Sequence, residues 1–425
     1  MRIARTLAFF VTAFVLSGSI HAANIASLSD QAVNGNTATA AEAIRQLRLL
    51  GPEGLNGLFA AYAFDIKDFK ATGAETEKWR KIAAAIDTVA MQKDAYASQL
   101  FWYTDLEAAK AASKKADKPI LTLRLLGNLN EEFSCANSRL FRSLLYSNAE
   151  ISKYLRDNYI LHWKSVRPAP RITIDFGDGR KIERTVTGNS IHYILDDQGS
   201  LIEALPGLYS PKAFMIYLKQ AKLVNDAIDI RTDREKETAL LRYRKLSFDR
   251  IKAKRDEAVS LANVALTEPK TGTIAILAAP RAMSKMMVTD ETSILRVYDE
   301  FARFEPQIDF SDWHKLASLY SPTPALDADS TAFIRRQTAK TGLSEAEFAA
   351  MFAKLQKYVA LDTTRNDFLY HMKLYEWMNE RGEADLESFN SRVYDQIFQT
   401  PDSDKWLGLY STDVYTALDG NGIVK

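Results

Sequence analysis

The chain has 425 residues, and its 55 lysines and arginines against 54 aspartates and glutamates leave a formal net charge of +1. That balance offers no electrostatic footing for nucleic acid or an anionic membrane surface, and both are set aside as partners. The length exceeds what one hydrophobic core usually serves, so two or three structural units are expected.

The first element is a leader. Arg2 and Arg5 precede an uncharged apolar run from Leu7 to Leu16, followed by Ser17, Gly18 and Ser19 and then Ala22 and Ala23. A charged start, a short apolar run and a small-residue cleavage site make a secretory signal peptide over 1–23. The run falls short of the about 20 apolar residues that cross a bilayer. The mature chain, starting near Ala23 or Asn24, is therefore expected to be exported, periplasmic or secreted, with no membrane span.

Residues 24–98 read as a helical N-terminal region. From about Thr37 to Gln92 the apolar residues fall at helical spacing, as in Ala40, Ile44, Leu47 and Leu50, and Gly51-Pro52 breaks the pattern into a helical hairpin. Residues 99–222 change character. Leu106 to Ala116 predicts a helix, and Ile120 to Leu126 a strand buried on both faces. Cys135 follows a polar loop, ahead of a helix from about Ser138 to Leu145, a second helix from Ala149 to Asn158 and a strand from Tyr159 to Val166. Strand, helix, strand in that order implies a parallel pair with a crossover. Alternation in Arg171 to Phe176 and Lys181 to Val186, around Gly177-Asp-Gly179, predicts a hairpin. Ile191 to Leu195 and Leu201 to Leu205 form another pair, and a helix starts near Pro211.

Residues 223–425 are expected to be a helical C-terminal domain. A long amphipathic run covers Lys219 to Leu266, continuous or broken near Arg231, and helices follow at 292–304, 344–359, 363–380 and 386–398. Trp406, Tyr410 and Tyr415 in the tail either pack back onto the domain or line a groove, and packing is the simpler expectation.

Cys135 is the only cysteine, so the chain forms no internal disulfide, although a covalent dimer through this thiol stays open. Its setting, Phe133-Ser-Cys-Ala-Asn-Ser138, places a thiol at a helix N-terminus, where unpaired backbone N–H groups favour the thiolate. Arg139 and Arg142 add positive charge if they face the sulfur, and Ser138 can donate a hydrogen bond to it. The bland alternative is a small apolar residue kept for packing. His162 and His192 lie in neighbouring predicted strands, where a Cys–His pair would activate the thiol, but satisfied structural histidines are the simpler expectation. Neither histidine has metal-ligand spacing with Cys135, and no metal or other cofactor is expected.

The stretch Asp105-Leu-Glu-Ala-Ala-Lys, then Asp117-Lys-Pro-Ile and the strand before Cys135, resembles the opening of bacterial thioredoxin-like domains. Tyr193-Ile-Leu-Asp-Asp-Gln-Gly-Ser-Leu-Ile, then Pro206-Gly-Leu-Tyr-Ser-Pro-Lys-Ala-Phe, is similar to the closing hairpin and last helix of that fold. The resemblance implies an α/β thioredoxin-like central domain, a mixed sheet with helices, between mainly α-helical N- and C-terminal regions. It also implies catalytic roles for Cys135, Ser138, Arg139 and His192, and substrate contact at Asn189, Ser190 and Ile191. Two departures stand out. Ser138 replaces the resolving cysteine, and Ser190 stands where the family carries a cis-proline.

Two functions follow as expectations. One is monothiol disulfide exchange or redox sensing through Cys135, with a protein or small-molecule thiol or disulfide as partner. The other is a non-catalytic interaction or scaffold protein on a thioredoxin fold. Fold alone does not choose between them.

Overall fold

The computed structural model describes residues 22–185, 188–228, 232–265, 310–321, 325–380 and 385–401, with isolated positions beyond them. Helices open the chain: α1 over 22–34, then α2 (Thr37–Leu49), α3 (Pro52–Ala61), α4 (Ala63–Thr72) and α5 (Glu77–Ala90). Side-chain caps set two of the starts, Asn36 accepting from the Thr39 N–H and Thr76 from the Trp79 N–H. Between α2 and α3, Gly51 takes φ 67° and Pro52 opens the next helix. The hairpin read from Gly51-Pro52 is thus present. The helix over 22–34 was not anticipated, because its buried Ile25, Leu28, Ala32 and Val33 fall between the apolar run that ends at Leu16 and the helical pattern that begins near Thr37.

The helical pair α2 and α3 is held at close range by Gly54, where an added Cβ would stand 2.0 Å from the Leu47 carbonyl oxygen. Gly54→Ala is expected to cost about 1–3 kcal/mol by overpacking, read as a lower denaturant midpoint. An unchanged midpoint would show that the two helices separate freely.

The centre is a five-stranded mixed sheet flanked by helices. Its strands are β1 (Trp102–Tyr103), β2 (Ile120–Leu126), β3 (Ile160–Arg167), β6 (Ser190–Leu195) and β7 (Leu201–Pro206), in the order β1-β3-β2-β6-β7. β1, β3 and β2 run parallel, whereas β2–β6 and β6–β7 are antiparallel. Helix α6 (Leu106–Ala116) leads into β2. α7 (Ala136–Leu140), its π-helical continuation Phe141–Tyr146 and α8 (Ala149–Asn158) carry the crossover from β2 to β3. Every residue of β2 is buried, as expected for a central strand covered on both faces. The hairpin β4 (Arg171–Asp175) and β5 (Lys181–Thr185) forms a separate two-stranded sheet.

The C-terminal part supplies α9 (Pro211–Ile228), α10 (Asp233–Ala262), α11 (Phe310–Tyr320) and α12 (Ala328–Thr338). It continues with α13 (Glu345–Arg365), which runs through a π-helical turn (Asn366–His371) into Met372–Met378, and then α14 (Leu386–Arg392) with its π-helical turn (Val393–Ile397). Two helices were expected over 344–359 and 363–380, but one continuous rod is formed. The polar run Thr363 to Asp367 does not break it because these residues are buried, and the Thr363 and Thr364 hydroxyls donate to the carbonyls of Val359 and Ala360. The helix expected at 292–304 lies outside the described residues, as do Tyr410 and Tyr415, while Trp406 is exposed.

One hydrophobic core joins the sheet to the C-terminal helices, running from Leu100 through Phe398. A second core fills the N-terminal helices and borrows Phe333 from α12, whose ring stacks on Tyr96. Among the described residues no helix is long and apolar enough to cross a membrane.

Candidate functional site

The site predicted around Cys135 is built where β2 ends. Gly127, at φ 74°, turns the chain out of the strand. The loop returns so that the Cys135 N–H donates to the Leu126 carbonyl at 3.0 Å. Cys135 therefore caps α7 with an extended backbone and points its sulfur into the core, with no exposed surface. The sulfur lies 2.8 Å from the Ser190 hydroxyl and 3.4 Å from that of Ser138, and 3.9 Å from the Asn189 carbonyl oxygen. Ser138 also donates to the Cys135 carbonyl at 2.8 Å. Cys135, Ser138, Asn189 and Ser190 are thus brought together, and all four are buried.

The two arginines bond to neighbouring elements. The Arg139 guanidinium donates to the Thr185 hydroxyl of β5 at 2.9 Å. Arg142 is buried, with Nη1 3.8 Å from the Asp94 carboxylate and Nη2 donating to the Glu132 carbonyl. Burial pulls its pKa down, against the pull of Asp94 and Glu132. His192 shares a hydrogen bond with the Tyr146 hydroxyl through Nε2 at 2.7 Å, and burial pushes its pKa down to about 3. It is a neutral ring at ordinary pH and supplies no imidazolium to a thiolate. His162 meets the Thr122 hydroxyl at 2.7 Å and is likewise held to about 3, by burial and by the charge of Arg124. Ile191 lies inside β6, whose two edges are taken by β2 and β7.

Elements added around the sheet close over the thiol from two directions. On one side the hairpin clasps the preceding loop. The Arg171 guanidinium lies over the Phe133 ring at 4.7 Å, and Thr185 donates to the Ser134 carbonyl. On the other side comes the C-terminal segment. The Tyr394 hydroxyl donates to the Asn189 carbonyl at 3.2 Å, and the Asn189 amide to the Thr400 hydroxyl at 3.3 Å. The Thr400 N–H in turn donates to the Tyr394 carbonyl, and Arg167 donates to the carbonyls of Thr400 and Pro401. The Asn189 carbonyl and amide beside Cys135 are thus engaged by the chain's own Tyr394 and Thr400.

No family model, curated protein or solved structure matches the chain.

A second polar cluster was missed in the sequence. Glu203 of β7 is fully buried and accepts from His371 Nε2 at 2.9 Å, from the Tyr375 hydroxyl at 2.7 Å and from the Tyr243 hydroxyl at 2.5 Å. His371 Nδ1 stands 3.3 Å from the Asp367 carboxylate, which also accepts from Tyr217 and Tyr320, each at 2.7 Å. Burial alone would depress His371, but Glu203 and Asp367 outweigh it and hold the ring at about 9. Burial opposes ionisation of Glu203 too, and the imidazolium more than compensates, keeping its pKa low. The cluster fastens β7 to the long rod α13 with charges at its centre. The available signal was a glutamate inside the apolar strand Leu201-Ile-Glu-Ala-Leu205. Among the described residues no three His, Cys, Asp or Glu side chains converge to hold a metal ion.

Proposed function

We propose that this chain is an exported protein with a thioredoxin-like core that works as an interaction scaffold, in which Cys135 serves packing rather than catalysis. One observation carries the reading: the only cysteine thiol has no exposed surface and sits beneath the chain's own C-terminal segment through Asn189, Tyr394 and Thr400. Disulfide exchange needs a thiolate that a partner sulfur can reach. The mixed sheet supports the core's identity, since parallel β1-β3-β2 strands beside antiparallel β6 and β7, flanked by helices, are compatible with a thioredoxin-like domain. The leader over 1–23 supports export.

The two serine hydroxyls around the sulfur favour a second reading, a monothiol uncovered when the C-terminal segment lifts. Alkylation of the folded, reduced, mature chain separates the two. Under the scaffold reading, labelling of Cys135 is expected to be at least about a hundredfold slower than in denaturant, because it waits for local opening. Rapid labelling of the native chain, with a pH midpoint well below the about 8.5 of a free thiol, would replace the scaffold by the monothiol enzyme.

A further inference from the structure

A cavity of about 810 Å³ opens beside α7, bounded by the ends of α5, by the π-helical turn, by β5 and by α12. Its size falls within the range of small-molecule sites, about 300–1,000 Å³. Six of its lining residues are cationic (Lys93, Arg139, Arg142, Arg184, Arg336 and Lys340) and three are anionic. Two of the acids are engaged, Glu75 with Lys340 at 2.9 Å and Asp94 with Lys93 at 3.4 Å. Arg336 donates to the Lys70 carbonyl and lies over the Tyr96 ring, and Arg184 donates to the Glu183 carbonyl. Both of these bonds end on neutral oxygens, so each guanidinium brings its full positive charge to the cavity wall.

The floor of the cavity is the decisive feature. The Arg142 side chain is only 2% exposed, yet its Nε and Nη1 have no hydrogen-bond partner, and its closest carboxylate stands off at 3.8 Å. A buried guanidinium with two unmet donors, on different edges of its plane, is costly, and charge-assisted N–H bonds to an oxyanion are the strong way to meet such donors. It is carried on a π-helical turn, an irregularity that re-aims side chains and is common at functional sites.

We propose that this cavity binds a small multivalent oxyanion, phosphate- or carboxylate-bearing, seated on Arg142 and reached by Arg184 and Arg336. Because the lining comes from the N-terminal helices, the sheet layer, the hairpin and the C-terminal helices together, the anion would tie all four to one another.

The test is calorimetric titration of the full mature chain with pyrophosphate and with citrate, at matched ionic strength, beside Arg184→Gln and Arg142→Lys. Arg184 is exposed, so its replacement leaves the fold intact, and lysine keeps the charge of Arg142 while losing its fork. Saturable binding of either anion, weakened about tenfold or more in each variant, supports the site, and preference between the two probes assigns phosphate or carboxylate. No binding at millimolar probe overturns the proposal. Binding left unchanged in both variants overturns it equally, by placing the anion elsewhere.

Discussion

Replacing His371 by alanine is expected to destabilise the protein by about 3–5 kcal/mol, the usual cost of stripping one partner from a buried ion pair. Glu203 and Asp367 would then face each other's surroundings without the cation that lies 2.9 and 3.3 Å from them. Glu203→Gln on the same background should recover part of the loss, because the uncompensated carboxylate is gone. The same cluster sets a pH dependence. The His371 ring titrates at about 9 in the folded protein against 6.5 for an ordinary histidine, its burial outweighed by the charge of Glu203 and the bonds to both carboxylates. Its contribution is fully present below the unfolded value and disappears as pH rises through the folded one. By linkage, roughly 3 kcal/mol should be lost between about pH 6.5 and about pH 9. Urea midpoints across that range would show the loss in the parent chain and a flatter profile in His371→Gln. Equal slopes in both would remove His371 as the cause.

Tyr394→Ala should make Cys135 react about a hundredfold faster with an alkylating agent. The buried ring and its bond to the Asn189 carbonyl hold the C-terminal segment over the sulfur. Loss of a buried aromatic costs about 3–5 kcal/mol, and each 1.4 kcal/mol removed from the opening step is about a tenfold gain in the open population. Tyr394→Phe keeps the ring and loses only the hydroxyl's bond, so less than about a tenfold change is expected. Labelling rates that do not move in the alanine variant would show that Cys135 is exposed by some other opening, and the hairpin clasp at Thr185 would be the next place to cut.

The strands and helices around the sheet were legible because their signals are local. Ile120 to Leu126 is uninterruptedly apolar, Leu106 to Ala116 ends in a lysine-rich turn, and the Gly177-Asp-Gly179 turn marks a hairpin. The place of Cys135 at the end of the central strand was legible for the same reason. What surrounds the sulfur was not. Tyr394 and Thr400 lie more than two hundred positions from Asn189, and no spacing rule relates residues that distant. The orientation of Arg139 and Arg142 was hidden too, since helical spacing puts them near the thiol but only the positions of Thr185 and Asp94 decide where they turn. The His371 cluster combines both difficulties, because its members sit on β7, α9, α10, α11 and α13.

The distribution of those partners along the chain bears on how the molecule is made. Glu203 emerges from the ribosome well before the histidine that neutralises it, and Cys135 earlier still, with its cover at Tyr394 and Thr400 arriving more than two hundred residues after Asn189. A product stopped ahead of His371 would present proteases with a charged strand and an unsealed apolar face. The gene is therefore expected to tolerate late stop codons poorly, and pieces cut at the borders of the sheet would make poor substitutes for the intact polypeptide.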